Sequence, residues 1–191
     1  CHGEEFAEPA TDKQSRGHIL TDYLTQNDSA ENFIQALIKK KDAYQPFNVL
    51  LGSVDTLYHF NSLDTDFTAL TKGTHSLSNA TLNTPWPKVE KTRETLDIII
   101  QSEKDYLNDL FAMMMDKTPA PDHKIPDAPL PLAIRRKASA NFIETETFGT
   151  KSTTVLLVDW DNHVTYVERT YLIDEQFEDR TYRFQIEDKQ L

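Results

Sequence analysis

Small hydrogen-bonding side chains crowd the stretch from Gly73 to Val89, GTHSLSNATLNTPWPKV. Ser, Thr and Asn recur over residues 74–84, Trp86 follows between two prolines, and Lys88 is the first charged residue. Hydroxyl and amide groups can line a cleft and bind the polar groups of a ligand. They can equally satisfy the backbone groups of their own turns. The residues alone leave both interpretations open.

Histidines and methionines are the other side chains suited to a metal or haem. The six histidines include no pair at a zinc-type spacing with cysteine partners, and no C-x-x-C-H motif occurs. The three consecutive methionines Met113–Met115 lie in a predicted helix, where methionine typically fills gaps in a core. We therefore predict no metal site. His18 and His75 either face a pocket or are ordinary surface or core imidazoles.

Charge and cysteine content narrow the class of protein. The net charge is −11, from 20 basic and 31 acidic residues, whereas nucleic-acid binding needs a basic stripe or face. We predict no nucleic-acid partner. No apolar run approaches the ~20 residues that span a bilayer, so no transmembrane segment is expected. The single cysteine, Cys1, excludes an internal disulfide and is typical of a reducing, cytoplasmic location.

The first residue, Cys1, has three interpretations. Removal of an initiator Met would expose a reactive N-terminal cysteine. Cleavage of a signal peptide would leave a cysteine for lipid modification. The sequence could also be a fragment of a longer chain.

Periodicity predicts an α+β chain with antiparallel sheets and helices outside them. A first helix follows Ser15 as its N-cap, and Asp28 or Ser29 caps a second. Residues 87–116 are helical, with a restart at a capping box formed by Ser102 and Asp105, and the proline-rich residues 117–131 form a loop or lid. Strands are predicted at residues 47–53, 56–60, 67–70, 75–80, 153–159, 163–169 and 180–186, with a turn at Trp160-Asp161-Asn162.

Four segments, in this order, resemble the NRDE family, which is named for an Asn-Arg-Asp-Glu motif. They are Ser15-Arg16-Gly17-His18 before a helix, Phe47-Asn48-Val49-Leu50, Leu77-Ser78-Asn79-Ala80 with Thr84-Pro85-Trp86-Pro87-Lys88, and Gly149-Thr150-Lys151-Ser152-Thr153-Thr154 before a hairpin ending in Glu168-Arg169. The resemblance runs from Ser15 to Ile186.

The resemblance implies the fold of the N-terminal nucleophile hydrolases, a four-layer α–β–β–α sandwich of antiparallel sheets with flanking helices. We predict an irregular lead-in over residues 1–14 and an NRDE-like domain over residues 15–191. The chain departs from the family at its start, because Cys1 is followed by His2-Gly3-Glu4-Glu5 and not by an apolar strand. No Asn-Arg-Asp-Glu run occurs. We therefore expect either that the chain lacks the family's N-terminal strands or that the sequence was assembled with a gap.

The resemblance also implies roles for individual residues. In the cysteine members of that superfamily, a chain-terminal thiolate attacks an amide carbonyl and an Asn side chain donates to the oxyanion. On this template Cys1 is the nucleophile and Asn79 the oxyanion donor. Lys151 supplies the positive charge where relatives usually carry Arg. The implied binding residues around the pocket are Arg16, His18, His75, Ser78 and Trp86.

Three functions follow from the resemblance. Animal members are linked to haem handling and to Golgi and lipid phenotypes, which implies haem or another lipophilic small molecule as ligand, in a trafficking or chaperone role. The second is a cysteine amidohydrolase that cleaves a C–N amide bond. The third is a degenerate interaction domain whose missing strands leave an exposed sheet edge that favours a homodimer.

Overall fold

The computed structural model describes residues 12–102, 106–172, 174 and 176–187. The chain divides into two compact units, residues 1–84 (unit 1) and residues 85–191 (unit 2). In the described ranges the α-helices are α1 (Gly17–Thr25), α2 (Ala30–Lys40), α3 (Pro87–Gln101), α4 (Tyr106–Met114) and α5 (Leu132–Ala138). The strands are β1 (Asn48–Gly52), β2 (Leu57–Asn61), β3 (Thr68–Ala69), β4 (Ser152–Val158), β5 (His163–Tyr171) and β6 (Phe177–Gln185). The predicted α+β class is confirmed.

Unit 1 packs two helices against one face of an antiparallel sheet with the order β1-β2-β3. Because side chains alternate along a strand, Val49, Leu51 and Phe60 point to the same face. They form one buried core with apolar side chains of α1 and α2. The other members of this core are Ile19, Phe33, Ile34, Leu37, Tyr44 and Phe47.

The sequence of α2 explains why this helix forms and packs there. The hydroxyl of Ser29 accepts a hydrogen bond from the Asn32 N–H at 3.2 Å, so the predicted N-cap is confirmed. Phe33, Ile34 and Leu37 recur at helical spacing and are all buried. Full burial of each such side chain contributes about 1.5–3 kcal/mol. A charged substitution at Leu37 would therefore detach the helix.

The turn between β1 and β2 requires glycine. Gly52 has a φ of +147°, and a Cβ on it would lie 2.1 Å from the carbonyl oxygen of Thr56. That same oxygen accepts the N–H of Ser53 at 2.9 Å, which closes the turn. Any side chain at position 52 would thus collide with backbone that is itself fixed by a hydrogen bond.

Unit 2 packs α4 on one face of a second antiparallel sheet, with the order β4-β5-β6. Phe111 of α4 is buried in one cluster with Val155 and Val167. Pro87 occupies the first position of α3, as predicted, because its missing N–H has no helical partner there. The second helix predicted in residues 87–116 is present as α4.

The predicted turn at residues 160–162 is also confirmed. One carboxylate oxygen of Asp159 accepts the N–H groups of Asp161 at 2.9 Å and of His163 at 2.8 Å. Asn162 has a φ of 61°, a left-handed conformation that Asn tolerates. The turn joins β4 directly to β5, from Val158 opposite Val164 onwards.

Some sequence-based predictions differ from the structure or fall outside its described part. The strand predicted at residues 75–80 is wrong, since these residues form an irregular loop. Ser15 lies one residue before the observed N-cap of α1, Arg16. Asp105 of the predicted capping box and residues 1–11 of the predicted lead-in lie outside the described residues. The four-layer sandwich stays a prediction.

Candidate functional site

A cavity of about 380 Å³ lies in unit 1 where α1 and β1 begin. Its mouth is formed by exposed residues, so it opens to solvent. Its apolar lining comes from Ile19, Leu20, Phe47 and Val49, and its remaining lining residues are Arg16, Gly17, Asn48, Ser78 and Asn79.

The polar loop of residues 74–84 closes on itself and so presents only part of its length to this cavity. The Ser76 N–H donates to the Asn83 side-chain oxygen at 2.9 Å, and the Asn83 N–H donates to the Ser76 carbonyl at 2.8 Å. The Asn83 amide nitrogen lies 3.0 Å from His75 Nδ1, while His75 Nε2 lies 2.8 Å from the Thr71 carbonyl. Because a carbonyl only accepts, His75 carries its proton on Nε2 and accepts at Nδ1. These side chains satisfy local groups, and Ser78 and Asn79 are the loop residues that line the cavity.

Asn48 connects the cavity to a buried polar network on β1 and β2. Asn48 Oδ1 lies 2.9 Å from His59 Nε2 and accepts from Asn61 Nδ2 at 3.0 Å. Asn48 Nδ2 donates to the Ala80 carbonyl at 3.1 Å, and Asn61 Oδ1 accepts the Leu63 N–H at 2.8 Å. The network therefore holds the loop that carries Asn79 against the start of β1.

Backbone groups at its two ends fix the orientation of this network. The Ala80 carbonyl can only accept, so the Asn48 atom that faces it is the amide nitrogen. The Leu63 N–H can only donate, so the Asn61 atom that faces it is the oxygen. His59 must then donate from Nε2 to Asn48. His59 is 3% exposed, and this burial lowers the pKa of its imidazole, which favours the neutral ring.

Two further contacts position the lining residues. The hydroxyl of Ser62 accepts the Phe47 N–H at 2.9 Å, which fixes the strand start beside the cavity. Arg16 donates from Nη1 to the Pro46 carbonyl at 3.2 Å. Since a guanidinium is charged at all physiological pH values, Arg16 brings a permanent positive charge to the cavity lining.

Three of the residues that the resemblance implied, Arg16, Ser78 and Asn79, line the same cavity. His18 lies exposed on α1 and His75 is held within the loop, and neither lines the cavity. Cys1 lies outside the described residues. The roles assigned to all these residues stay predictions.

Trp86 and Lys151 belong to unit 2. Trp86 is the N-cap residue of α3, and its carbonyl accepts the N–H groups of Val89 and Glu90. Lys151 has an exposed side chain, and its carbonyl accepts the Tyr171 N–H at 2.9 Å, which starts the pairing of β4 with β5. In the structure both residues thus have a structural role through their backbone carbonyls, Trp86 at the start of a helix and Lys151 at the start of a strand pair.

Two motif residues of unit 2 have structural partners. The Lys88 ammonium donates to the Ala138 carbonyl at 3.1 Å at the end of α5, and burial lowers its pKa. Arg169 forms two hydrogen bonds of 2.8 Å to the Asp179 carboxylate. Its guanidinium also lies 4.0 Å from the ring centre of Phe111 and 3.8 Å from that of Phe177.

A second polar cluster occurs on the turn before β5. Ligand atoms of Asp159, Asp161 and His163 lie within 4.8 Å of one another, close enough for a cation, and all three residues are exposed. One Asp159 oxygen is already engaged by two backbone N–H groups of the turn, and the other lies 3.2 Å from His163 Nδ1. The cluster therefore has a sufficient explanation in turn formation.

Sequence reasoning missed Asn48 and His59 as site residues. Both stand in predicted strands, and Asn48 was recognised within the second family-like segment. Their side chains meet because Asn48 pairs with Asn61 and His59 pairs with Leu50 in the register of β1 and β2. That register could have been found only by pairing the two strands with the apolar positions on one face.

Together these features define an α+β protein with a candidate small-molecule cavity at one end of a sheet. The chain belongs to the transport and Golgi organisation 2 family, whose sequence model matches residues 2–172. This confirms the resemblance to the NRDE family, which is the same family. No helix in the described part of the chain is long and apolar enough to cross a membrane.

Similar proteins carry the same family name. The transport and Golgi organization protein 2 homolog of Homo sapiens is 29% identical over 204 residues, which cover 95% of this chain and 72% of that protein. The mouse homolog is 27% identical, with 92% of this chain and 70% of the relative covered. The bovine homolog is 24% identical, with 91% and 69% covered.

Proposed function

We propose that this protein binds a lipophilic small molecule in the cavity of unit 1 and hands it on, with haem as the first ligand to test. The observation that carries the proposal is the cavity itself. Ligand pockets of about 300–1,000 Å³ are typically apolar with a few placed polar groups, and this one has a volume of about 380 Å³. Its open mouth allows a larger ligand to project into solvent and to leave again, which suits a carrier.

The polar lining favours a ligand that also has an acceptor group. One N–H of the Asn48 amide goes to Ala80, and an amide carries two. Within the part of the chain that the structure describes, the second N–H is left for a ligand. Arg16 adds positive charge to the lining of the same cavity. Donors of this kind fit a carboxylate on an apolar body, as in the propionates of haem.

A transport function connects this proposal with the relatives. Their names refer to transport and Golgi organization. On this chain a Golgi-related transport function is our proposal. The cytoplasmic location stays a prediction.

The proposal is tested by titrating the protein with haemin and following the Soret band. Leu20→Glu introduces a carboxylate into the cavity lining, and Leu24→Glu is the matched control one turn further along α1. Leu20 is 50% and Leu24 79% exposed, so neither variant disrupts the core. We expect saturable binding of haemin to the wild type and to Leu24→Glu. For Leu20→Glu we expect a dissociation constant higher by a factor of about ten or more, where tenfold corresponds to a loss of about 1.4 kcal/mol in binding free energy.

Two results would contradict the proposal. One is the absence of any saturable Soret change with the wild type. The other is equal binding to both variants, which places the haemin elsewhere. The dimethyl ester of haemin tests the negative charge of the propionates separately, because an ester keeps its carbonyl acceptor but is neutral. On the wild type we expect the ester to bind more weakly than haemin, since the ester lacks the charge that Arg16 would meet. For the same reason, the ester should bind to Arg16→Gln as weakly as it binds to the wild type.

A cysteine amidohydrolase is the second candidate function, and the position of Asn79 favours it. Asn79 and Arg16 line the same cavity, as an oxyanion donor and a cation of one active site would. This reading requires a free N-terminal thiol at Cys1 with a lowered pKa. Iodoacetamide at mildly acidic pH, followed by mass spectrometry, should then label Cys1 rapidly. A blocked Cys1, or one that is labelled at the rate of free cysteine, would exclude the hydrolase but leave ligand carriage intact.

A further inference from the structure

We propose that β6 is a self-association edge, to which a second copy of this chain adds its own β6 antiparallel, with Thr181 opposite Thr181. In the sheet as described, β6 follows β5 at the end of the order β4-β5-β6. All nine of its residues are exposed. A strand in this position presents a row of backbone donors and acceptors to solvent, which another strand can pair.

Hydrogen bonds at both ends of the β5–β6 pairing show which backbone groups face outward. The Ile186 N–H donates to the Asn162 carbonyl at 2.9 Å, and the Leu172 N–H donates to the Gln176 carbonyl at 2.8 Å. These two pairs continue the register of β5 and β6 by one residue at each end. Hydrogen-bonded pairs recur at every second residue of an antiparallel ladder. Even-numbered residues of β6 therefore bond to β5, and the odd-numbered residues from 177 to 185 direct their N–H and C=O groups outward.

Pairing centred on Thr181 uses all of these groups. An antiparallel copy related by a two-fold axis at this residue overlaps the whole of β6 and brings odd-numbered residues opposite odd-numbered ones. The two strands then exchange about ten hydrogen bonds. Every other two-fold centre shortens the overlap, because Thr181 is the midpoint of Phe177–Gln185.

The same centre also matches charges. Asp179 falls opposite Arg183 of the second copy, and by symmetry this pair occurs twice. Centres at Asp179, Arg180 or Arg183 would instead place one of these charges opposite itself, which is destabilising. The register with the longest overlap is thus also one with favourable cross-strand charge pairs.

Asp179 is held ready for such a contact. Its carboxylate is fixed from the other side by two hydrogen bonds of 2.8 Å from Arg169, and this pairing lowers the pKa of Asp179. Arg183 of the second copy would therefore approach an ionised carboxylate that has already lost most of its freedom. The opposite edge of the sheet, β4, has no charged residue within Ser152–Val158 and offers no such match.

Charged residues on an edge strand also have a contrary role, since they keep other strands away. The net charge of −11 on each copy likewise opposes association. Salt screens this repulsion beyond about 8 Å at physiological ionic strength, whereas the opposed pairs lie closer. An interface of one strand is at the small end of specific interfaces, so we expect a dissociation constant in the range of about 1–100 μM.

A cysteine trap tests the register. In a Cys1→Ser background, which removes the only cysteine of the sequence, Thr181→Cys would place two thiols on Cα atoms about 5.5 Å apart, within disulfide reach. Gln185→Cys is the control on the same edge, because the two copies of residue 185 would lie at opposite ends of the interface. In a glutathione redox buffer we expect a covalent dimer from Thr181→Cys and little from Gln185→Cys.

Charge substitutions test the energetics by sedimentation equilibrium. Arg183→Gln removes both opposed pairs and should raise the dissociation constant about fivefold, while Arg180→Gln makes the same charge change on the other face and should change it less than about twofold. A wild type that stays monomeric up to about 1 mM would overturn the proposal. So would equal crosslinking of the two cysteine variants, which would indicate random collision.

Discussion

Replacing Asn48 with Leu should destabilise unit 1 selectively and break the side-chain hydrogen bond that holds the loop carrying Asn79. The substitution keeps the approximate size of the side chain but removes all of its hydrogen-bonding groups. In the native protein Asn48 bonds to His59, Asn61 and Ala80. Those three partners are 3%, 7% and 8% exposed, so water cannot readily replace the lost side chain.

The expected loss follows from these three partners. A buried polar group left without a partner costs about 1–3 kcal/mol, so three such groups set an upper range of about 3–9 kcal/mol. Relaxation of the exposed loop and the transfer of the leucine side chain from water offset part of this cost. We expect the free energy of unfolding of unit 1 to fall by about 3 kcal/mol.

Hydrogen exchange followed by mass spectrometry is the appropriate assay, because both tryptophans, Trp86 and Trp160, lie in unit 2. Fluorescence would therefore report on the wrong unit. A loss of about 3 kcal/mol should accelerate exchange about a hundredfold at amides that open with unit 1. Peptides from β1 and β2 should show this change, and peptides from β5 should not.

Asn48→Asp provides the internal control for the mechanism. It keeps an oxygen for His59 and Asn61 but places a second acceptor oxygen against the Ala80 carbonyl, so the contact with the loop is lost while the two contacts within the sheet are kept. The new carboxylate should also raise the pKa of His59 in an NMR titration, since a nearby negative charge favours the imidazolium. Unchanged exchange in Asn48→Leu, or an unchanged pKa of His59 in Asn48→Asp, would refute the hydrogen-bond assignments.

Three further predictions concern single residues. Burial lowers the pKa of His59 in the folded protein. As pH drops below about 6.5, the unfolded chain therefore binds a proton before the folded chain does, and the stability of unit 1 should fall. In thermal melts at a series of pH values, His59→Gln should lack this pH-dependent loss of stability. Arg169→Lys cannot keep two parallel bonds to Asp179 or the stacking of a planar group, so unit 2 should lose about 2 kcal/mol in urea unfolding, and an unchanged midpoint would contradict this reading. Gly52→Ala forces a Cβ against the Thr56 carbonyl, so the free energy of unfolding of unit 1, measured by hydrogen exchange, should fall by about 3 kcal/mol or more. A fall of less than about 1 kcal/mol would show that the turn can rearrange.

Local signals predicted most elements of the fold. The apolar spacing of Phe33, Ile34 and Leu37 indicates a helix, and Ser29 marks its start. The hairpin around Trp160 follows from two alternating runs and a turn with Asx chemistry. Such elements are determined by residues close in sequence, which is why a single sequence reveals them.

The strand predicted at residues 75–80 shows where local pattern fails. Its residues alternate as a strand would, but the backbone of Ser76 bonds to Asn83 within the same loop and not to a neighbouring strand. Asn and Ser side chains compete with sheet formation in this way. The position of Asn79 beside a cavity followed from the family resemblance and not from the alternation.

Asn48 lines the candidate site and His59 supports it by a hydrogen bond, for a reason that no single segment contains. In β1 and β2, one set of alternate positions, including Val49 and Phe60, forms the core with the helices, and the other set places Asn48, His59 and Asn61 on the opposite face. The core and the polar network are thus the two faces of one register. A slip of one residue would exchange them, burying the amides among apolar side chains, so the packing that stabilises unit 1 also fixes the residues that form its candidate site.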